Sequence, residues 1–217
     1  MTESGSAALV YLIDDDAAFR EALALLLTSV GLQVRGYADA ASFFADYRGD
    51  EEVGCLLLDL RLPGPLDGLG IQHELVQRGI GLPVIILSGH GDVQQAVRAL
   101  RQGALDFLQK PCNDQQLLDK VHQCLVLDRT RRARVARRAE LERRYSTLTP
   151  REREVMHWVV RGTSNKDIAV KLGISSKTVE LHRANVMEKM AASSLSALIK
   201  MALEIGLLAG FAEDPGV

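Results

Sequence analysis

The sequence predicts an α/β domain with a five-stranded, parallel, doubly wound sheet, followed by an all-α domain of four helices that contains a helix-turn-helix. Three observations support this prediction. Short apolar runs alternate with segments of 3.6-residue periodicity through the first half of the chain, which is the βα pattern of a parallel sheet. A charged segment without glycine or proline follows, and the pattern after it is helical. With 217 residues, the chain is long enough for two domains with a core each.

Apolar runs and helix signals place the elements of the first domain. They predict strands over 9–13, 33–37, 55–58, 84–87 and 106–109. Helices are predicted over 17–30, 71–78 and 93–102, with another that follows Asp39 as N-cap and runs to 47, and a fifth from 114 onward. The first helix stops at Gly31. Its predicted apolar face comprises Phe19, Leu23, Leu26, Leu27 and Val30.

Four of the apolar runs deliver polar side chains at their carboxyl ends. Asp14 and Asp15 follow the first run, and Asp59, Ser88 and Lys110 follow three others. The carboxyl ends of parallel strands meet at one edge of the sheet, where open α/β folds bind ligands. Converging carboxylates need a cation, and oxygen ligands suit Mg²⁺. A lysine and a hydroxyl would bind a phosphoryl group carried on one carboxylate. Taken singly, any of these aspartates could instead be a solvated loop residue.

The net charge of −2 hides a difference between the two halves of the chain. Residues 1–127 contain 17 Asp and Glu against 9 Lys and Arg, a net −8, whereas residues 128–217 contain 11 against 17, a net +6. An acidic first half joined to a basic second half indicates that only the second half meets a polyanion.

Cysteine usage and hydropathy predict a cytoplasmic protein. Cys55, Cys112 and Cys124 lack CxxC or metal-type spacing, and their odd number argues against a disulfide framework. The first eight residues lack the features of a signal peptide, and no apolar run reaches 18 residues. We therefore expect reduced thiols and no membrane partner.

The segment after 127, DRTRRARVARRAELERR, predicts a helical linker over 128–146. It has high helix propensity but no apolar stripe, so we expect a solvent-exposed helix. Two roles stay open for it: a merely solvated charged helix, or direct contact with DNA phosphate or a partner chain.

A strong helix start opens the second domain. Thr149 is the expected N-cap, with Pro150 at the first helical position and Glu152 at the third. Helices are predicted over 150–161, 165–172, 176–189 and 194–207. A short turn at 173–175, which begins with glycine, joins the second and third helices. That arrangement is a helix-turn-helix.

These residues together resemble a two-component response regulator of the FixJ/NarL type, closest to the FixJ branch. IDDD (13–16), LLLDLRLPG (56–64), ILSGHGD (86–92) and DFLQKP (106–111) carry the resemblance to a receiver domain. LTPREREV and GTSNKDIAVKLGISSKTVELHRANVMEKM carry the resemblance to a LuxR-type helix-turn-helix domain. The resemblance implies a flavodoxin-like receiver over 9–127, the linker over 128–146 and the DNA-binding domain over 147–208. We expect a disordered N-terminus over 1–8 and a tail over 209–217.

The resemblance also assigns the strand-end residues. Asp59 would accept a phosphoryl group from the phosphohistidine of a sensor histidine kinase. Asp15 and Asp59 would ligate Mg²⁺ directly, Asp14 would act nearby or through water, and Arg61 would offer its backbone carbonyl.

The resemblance also implies a conformational switch next to Asp59, the expected phosphoacceptor. Lys110 would pair with a phosphoryl oxygen, Ser88 would move its hydroxyl onto the phosphoryl group, and Phe107 would follow it inward; a plain core aromatic is the alternative for Phe107. The family usually places a glycine eight positions after the phosphorylated Asp, whereas Gly68 stands nine positions after Asp59. We expect the extra residue to alter the loop over the site and thereby the rate of phosphorylation and the lifetime of the phosphate.

The third helix of the second domain is the expected recognition helix. A rotation of 100° per residue puts Val179, Val186 and Met190 on its core face. The opposite face comprises Lys177, Glu180, Leu181, Ala184 and Glu188. Lys177 could bind phosphate or guanine, Glu180 could accept from cytosine N4, and Leu181 or Ala184 could contact a thymine methyl. We expect phosphate contacts from Thr178, Arg183, Asn165 and Lys166. His182 is a packing or backbone-bonded residue rather than a ligand.

The expected function is that of a DNA-binding transcriptional response regulator, not an enzyme. Phosphorylation would dimerise the receiver through the face around 94–102 and 106–109, and the dimer would bind promoter double-stranded DNA at half-sites ~34 Å apart. By resemblance we expect an activator that contacts RNA polymerase. One alternative is a phosphate-independent dimeric transcription factor. Another is a haloacid-dehalogenase-type phosphatase, which the absence of a second Asp in Asp59-Leu60-Arg61 opposes.

Overall fold

The computed structural model describes residues 8–49, 52–89 and 93–208. The chain forms two compact units, residues 1–132 and 133–217. The segments expected to be a disordered N-terminus and a C-terminal tail lie outside the described residues, apart from Ala8. Among the described residues, no helix is both long enough and apolar enough to cross a membrane.

The described part of the first unit is a doubly wound α/β fold. Its strands are β1 (Leu9–Ile13), β2 (Gln33–Tyr37), β3 (Gly54–Asp59), β4 (Val84–Ser88) and β5 (Asp106–Gln109). They form one sheet in the order β2-β1-β3-β4-β5, and every pairing is parallel. The helices are α1 (Ala17–Ser29), α2 (Ala40–Asp46), α3 (Gly68–Gln77), α4 (Val93–Arg101) and α5 (Asp114–Ser146). The predicted fold class is confirmed.

Two apolar clusters cover the two faces of this sheet. Strands β1, β3 and β4 are buried along their whole length, as central strands of a parallel sheet must be. One cluster includes Phe43 and Ile71, and the other includes Leu27 and Val121. Because both faces are covered, the carboxyl edge of the sheet is left for polar groups.

Predicted and observed element ends differ by at most three residues. Helix α3 begins at Gly68 rather than 71, because the Asp67 side chain accepts from the Gly70 N–H at 2.8 Å and caps it. The placement of Val30 on the apolar face of α1 was wrong. Helix α1 ends at Ser29, and Val30 is its C-cap and 52% exposed.

Helix α5 is continuous from Asp114 to Ser146 and contains the whole predicted linker. The expectation of a solvent-exposed segment is wrong at two residues, because Leu141 is 3% exposed and Asp128 is completely buried. Asp128 is the first residue of the segment. The Asp128 carboxylate accepts from the Gly54 N–H at 2.9 Å, from Arg131 Nε at 3.0 Å and from Arg132 Nε at 2.5 Å. A buried carboxylate needs such partners, so the start of the linker helix is part of the packing of the first unit.

The second unit contains four further described helices, α6 (Pro150–Val159), α7 (Asn165–Leu172), α8 (Ser176–Lys189) and α9 (Leu195–Glu204). The predicted capping box at Thr149 and Glu152 is present. Gly173 ends α7 in the left-handed region, at φ 65°, and Ser175 caps α8 directly afterwards. The short turn between them positions α8 as the second helix of the helix-turn-helix.

Candidate functional site: the acidic strand ends and the recognition helix

The carboxyl ends of four strands bring together the polar residues that the sequence singles out. Asp14 follows β1, Asp59 ends the adjacent β3, Ser88 ends β4 and Lys110 follows β5. Asp14, Asp59 and Ser88 are buried, whereas Asp15 is exposed. The backbone N–H of Lys110 donates to the Ser88 carbonyl at 2.7 Å, which continues the β4–β5 pairing and directs the lysine toward the acidic residues.

Lys110 links the two buried aspartates. Its Nζ donates to Oδ2 of Asp14 and, at 2.6 Å, to Oδ2 of Asp59. Burial raises the pKa of the Asp14 carboxyl, and hydrogen bonds from Lys110 and from the Asp16 backbone only partly offset this effect. Burial by itself lowers the pKa of Lys110, but the two carboxylates outweigh it and the net pKa is raised. The ammonium group therefore stays charged between the carboxylates.

The three aspartates can hold a hard divalent cation. Carboxylate oxygens of Asp14, Asp15 and Asp59 lie within 4.8 Å of one another. An all-oxygen donor set of this kind fits Mg²⁺. The Arg61 N–H donates to Oδ1 of Asp59 at 2.9 Å, so the backbone of Arg61 lies beside the same carboxylate.

The two predicted switch residues lie on neighbouring strands. Ser88 is at the end of β4, and Phe107 is on β5, where it pairs in register with Ile86. Phe107 is partly buried and packs against the core cluster that contains Phe43. Movement of either residue remains a prediction.

Gly68 packs against the backbone at the end of β3 despite the extra residue before it. A Cβ added to Gly68 would lie 2.5 Å from the Asp59 carbonyl oxygen and 2.7 Å from Leu60 Cα. The Gly68 N–H also donates to the Leu60 carbonyl at 3.0 Å. The longer loop includes Gly64 at φ +115°, a conformation that glycine adopts without strain. The extra residue lies in the loop between β3 and α3, and its effect on the phosphorylation rate remains a prediction.

The sequence analysis missed the role of the third aspartate in IDDD. Asp16 caps α1, because its Oδ1 accepts from the Ala18 N–H at 2.9 Å and the Phe19 N–H at 3.2 Å. Its own N–H donates to Oδ1 of Asp14 at 3.0 Å. An Asp directly before an apolar-periodic segment is a helix-start signal, and it could have identified this cap.

Helix α8 divides into the two predicted faces. Val179, Val186 and Met190 are buried. The predicted DNA-facing residues are exposed, and they are Lys177, Glu180, Leu181, Ala184 and Glu188. Leu181, with 61% exposure, is an apolar side chain open to a ligand. Their contacts with bases remain predictions.

The residues predicted to bind phosphate lie near the junction of α7 and α8. Arg183 Nη1 donates to Asn165 Oδ1 at 3.1 Å, so these two bind one another, whereas Lys166 is exposed. The Thr178 hydroxyl is 2.8 Å from the Ser175 hydroxyl, within the cap of α8. His182 is half-buried, and among the described residues its Nδ1 has no hydrogen-bond partner.

Two cationic residues fix the C-terminal end of α8. Lys189 Nζ donates to Oε2 of the buried Glu152 at 2.6 Å. The hydrogen bond from Lys189 is the main cause that lowers the pKa of Glu152 to about 2. Arg144, near the end of α5, donates to the carbonyl of Met190, the C-cap of α8, at 3.2 Å. The orientation of α8 therefore depends on residues outside the helix-turn-helix.

Comparison with known proteins gives the class of this protein. Residues 10–122 match the model of the response regulator receiver domain, and residues 146–202 match that of the bacterial regulatory proteins of the luxR family. The chain belongs to the response regulators and combines a flavodoxin-like receiver with a LuxR-type DNA-binding domain. Within that class it is a FixJ-like transcriptional regulator, which is the branch that the sequence predicted.

Relatives that match along most of their length support this assignment. The chain is 42% identical over 216 residues to nodulation protein W of Bradyrhizobium diazoefficiens, covering 100% of this chain and 94% of the relative. It is 44% identical over 198 residues to the transcriptional regulatory protein FixJ of Azorhizobium caulinodans, covering 91% and 93%. Among solved structures, response regulator StyR matches with a TM-score of 0.82 at 39% identity, covering 92% of this chain and 100% of that one.

Proposed function

We propose that this regulator is switched by phosphorylation of Asp59, dimerises through its receiver and then binds promoter DNA. The observation that carries the proposal is the placement of Lys110 between Asp14 and Asp59 at the carboxyl edge of the sheet. A nucleophilic carboxylate, two further carboxylates for a cation and a charged lysine are the groups that phosphoryl transfer to an aspartate needs.

The transfer would proceed from the phosphohistidine of a sensor histidine kinase. An oxygen of Asp59 forms the bond to phosphorus while the bond from phosphorus to the imidazole nitrogen breaks, and the ammonium of Lys110 pairs with a phosphoryl oxygen. Asp14, Asp15 and Asp59, with the Arg61 carbonyl, would hold Mg²⁺. When bound, the ion neutralises charge on the carboxylates and the phosphoryl oxygens.

The phosphoryl group would act through a local change in charge. It adds about −1.5 to −2 charge and three acceptor oxygens. The Ser88 hydroxyl then turns toward those oxygens, and Phe107 moves into the space that Ser88 leaves. This motion would remodel the face formed by α4 and β5, where Val97 and Leu100 are exposed at 41% and 45%. Exposed apolar side chains on α4 support an interface between two receivers.

The dimer would present two copies of α8 to successive major grooves. Half-sites read by paired helix-turn-helix modules lie one helical turn apart, about 34 Å. Lys177, Glu180, Leu181 and Ala184 would read base edges, while Asn165, Lys166, Thr178 and Arg183 would bind phosphates. We assign the protein to the cytoplasm as an activator that recruits RNA polymerase, because its FixJ relatives are transcriptional regulatory proteins.

The decisive experiment measures mass in solution for the wild type and Asp59→Asn, with Mg²⁺, before and after addition of beryllofluoride, which mimics a phosphoryl group. We expect the wild type to change from monomer to dimer and the variant to stay monomeric. A dimer in both proteins without beryllofluoride would instead support the phosphate-independent dimeric transcription factor.

A further inference from the structure

The ring of Phe19 lies against the ammonium group of Lys110. Lys110 Nζ is 4.2 Å from the centroid of the ring, well within the ~6 Å reach of a cation–π contact. An ammonium group has three N–H bonds. Asp14 and Asp59 accept two of them. The aromatic face occupies a further side of the ammonium, so the charged group is held by two carboxylates and one ring.

The backbone around IDDD determines where this ring stands. Phe19 is in the first turn of α1, and its N–H donates to the Asp16 cap at 3.2 Å. Asp16 is in turn bonded to Asp14, which binds Lys110. The Phe19 side chain is partly buried against the core, and the Lys110 side chain is 16% exposed. The contact is therefore built into the start of α1 and is largely shielded from water.

We infer that Phe19 is a positioning residue for phosphoryl transfer to Asp59, because it holds the Lys110 ammonium in the orientation that the transfer uses. This inference rests on the proposed function and deepens it. With acetyl phosphate as donor, an Asp59 oxygen bonds to phosphorus, the bond from phosphorus to the acetate oxygen breaks, acetate leaves and Lys110 keeps its proton. The contact between Lys110 and Asp59 changes during this step, whereas the contact with the ring persists.

A persistent contact is what preorganisation requires. The lysine side chain is flexible, and its ammonium is a compact charge that water solvates well. A ring that holds the ammonium before and during the transfer removes the need for reorganisation at the moment of reaction. The benefit should therefore appear in the rate of the chemical step and not in the binding of the donor.

The test uses the full-length protein, Mg²⁺ and acetyl phosphate, and compares the wild type with Phe19→Leu and Phe19→Tyr. Leucine keeps the apolar bulk and removes the π face, whereas tyrosine keeps the π face. We expect Phe19→Leu to lower the rate constant for phosphorylation at saturating acetyl phosphate roughly threefold to tenfold, the value of one cation–π contact, with the half-saturating concentration of acetyl phosphate unchanged. Phe19→Tyr should retain the wild-type rate. Leu25→Ala, at a position of α1 that is 69% exposed, is the matched control and should change neither constant.

A wild-type phosphorylation rate constant in Phe19→Leu would overturn the inference. So would an equal loss in Phe19→Tyr, which would assign the effect to packing alone. Thermal melts establish that each variant is folded, and Phe19→Met provides a second aliphatic variant if leucine lowers the melting temperature. The mass of each protein after incubation with acetyl phosphate shows whether Asp59 is phosphorylated. If the wild type gains no more phosphoryl groups than Asp59→Asn does, the proposed function fails and this inference fails with it. If the wild type is phosphorylated on Asp59 and the leucine variant matches it, only the inference fails.

Discussion

The carboxylate of Asp128, in the middle of α5, accepts a hydrogen bond from the backbone N–H of Gly54, the first residue of β3, at 2.9 Å. Arg131 and Arg132, one turn further along α5, donate to the same carboxylate. Helix α5 is therefore hydrogen-bonded to β3, the strand that ends in Asp59.

Replacement of this carboxylate should destabilise the receiver. Asp128→Ala removes the acceptor of the buried Gly54 N–H and a charged partner of Arg131 and Arg132, so we expect a loss of about 3 kcal/mol in the free energy of unfolding. Urea unfolding followed by circular dichroism measures the loss, and hydrogen exchange at Gly54 localises it. Asp119→Ala, at an exposed position of the same helix, should cost less than about 0.5 kcal/mol. Equal effects of the two substitutions would contradict a role for the buried contact.

Gly68 should tolerate no side chain. The added methyl group of Gly68→Ala would lie 2.5 Å from the Asp59 carbonyl oxygen, so the backbone at the end of β3 must shift. We expect a loss of roughly 1–3 kcal/mol in stability and a slower phosphorylation by acetyl phosphate. Gly36→Ala is the control, because its Cβ would have Arg20 Cδ as its nearest neighbour, at 3.8 Å. Wild-type stability and rate in Gly68→Ala would show that the strand end can move without consequence.

The ion pair between Glu152 and Lys189 should make the DNA-binding domain sensitive to acid. The pKa of Glu152 falls from 4.5 to about 2 on folding, so the folded state favours the charged carboxylate. The resulting stability is fully present above pH 4.5 and is lost as the pH falls from 4.5 toward about 2. Trp158, the one tryptophan of the chain, lies on α6 and reports unfolding of this domain by fluorescence.

Glu152→Gln tests that interpretation. The substitution removes the charge that pairs with Lys189 but keeps an amide oxygen that can accept from the Thr149 N–H, and it should cost roughly 1–2 kcal/mol at neutral pH. It should also flatten the acid dependence between pH 4.5 and 2 relative to the wild type. An unchanged acid dependence would assign the effect to other carboxylates. Glu188→Gln, on the exposed face of α8, is the control.

Two surface residues of the helix-turn-helix should affect DNA binding in different ways. Glu180→Gln should reduce the free-energy difference between the preferred base pair and the other base pairs at one position of the operator by about 1–3 kcal/mol, because only contacts with bases read sequence. Lys166→Ala should weaken binding to all sequences alike and reduce the slope of log K against log salt by about one. An operator is first selected from random duplexes. Binding of each variant protein to that operator and to its single-base variants, at several salt concentrations, then separates the loss of sequence preference from the loss of general affinity. A change in sequence preference in Lys166→Ala would contradict the assignment of Lys166 to a phosphate contact.

Local chemistry explains why so much of this site could be predicted. Each strand-end residue follows its own apolar run, and a parallel sheet brings the carboxyl ends of its strands to one edge. Asp14, Asp59, Ser88 and Lys110 therefore converge once the strands are correctly placed. Helix α8 likewise follows from a cap, a turn and a 3.6-residue period.

The tertiary structure alone decided which partners these residues have. Lys110 binds Asp14 across 96 residues of sequence, and Asp128 binds Gly54 across 74. The contact of Phe19 with Lys110, and that of Gly68 with the Asp59 backbone, also depend on how helices and loops pack on the sheet. Periodicity gives the face of an element but not its neighbour, because a neighbour is chosen by the sum of many non-local contacts. The sequence by itself thus determines the class of protein and the position of its site. Which residues orient the site is decided by how the elements pack in the tertiary structure.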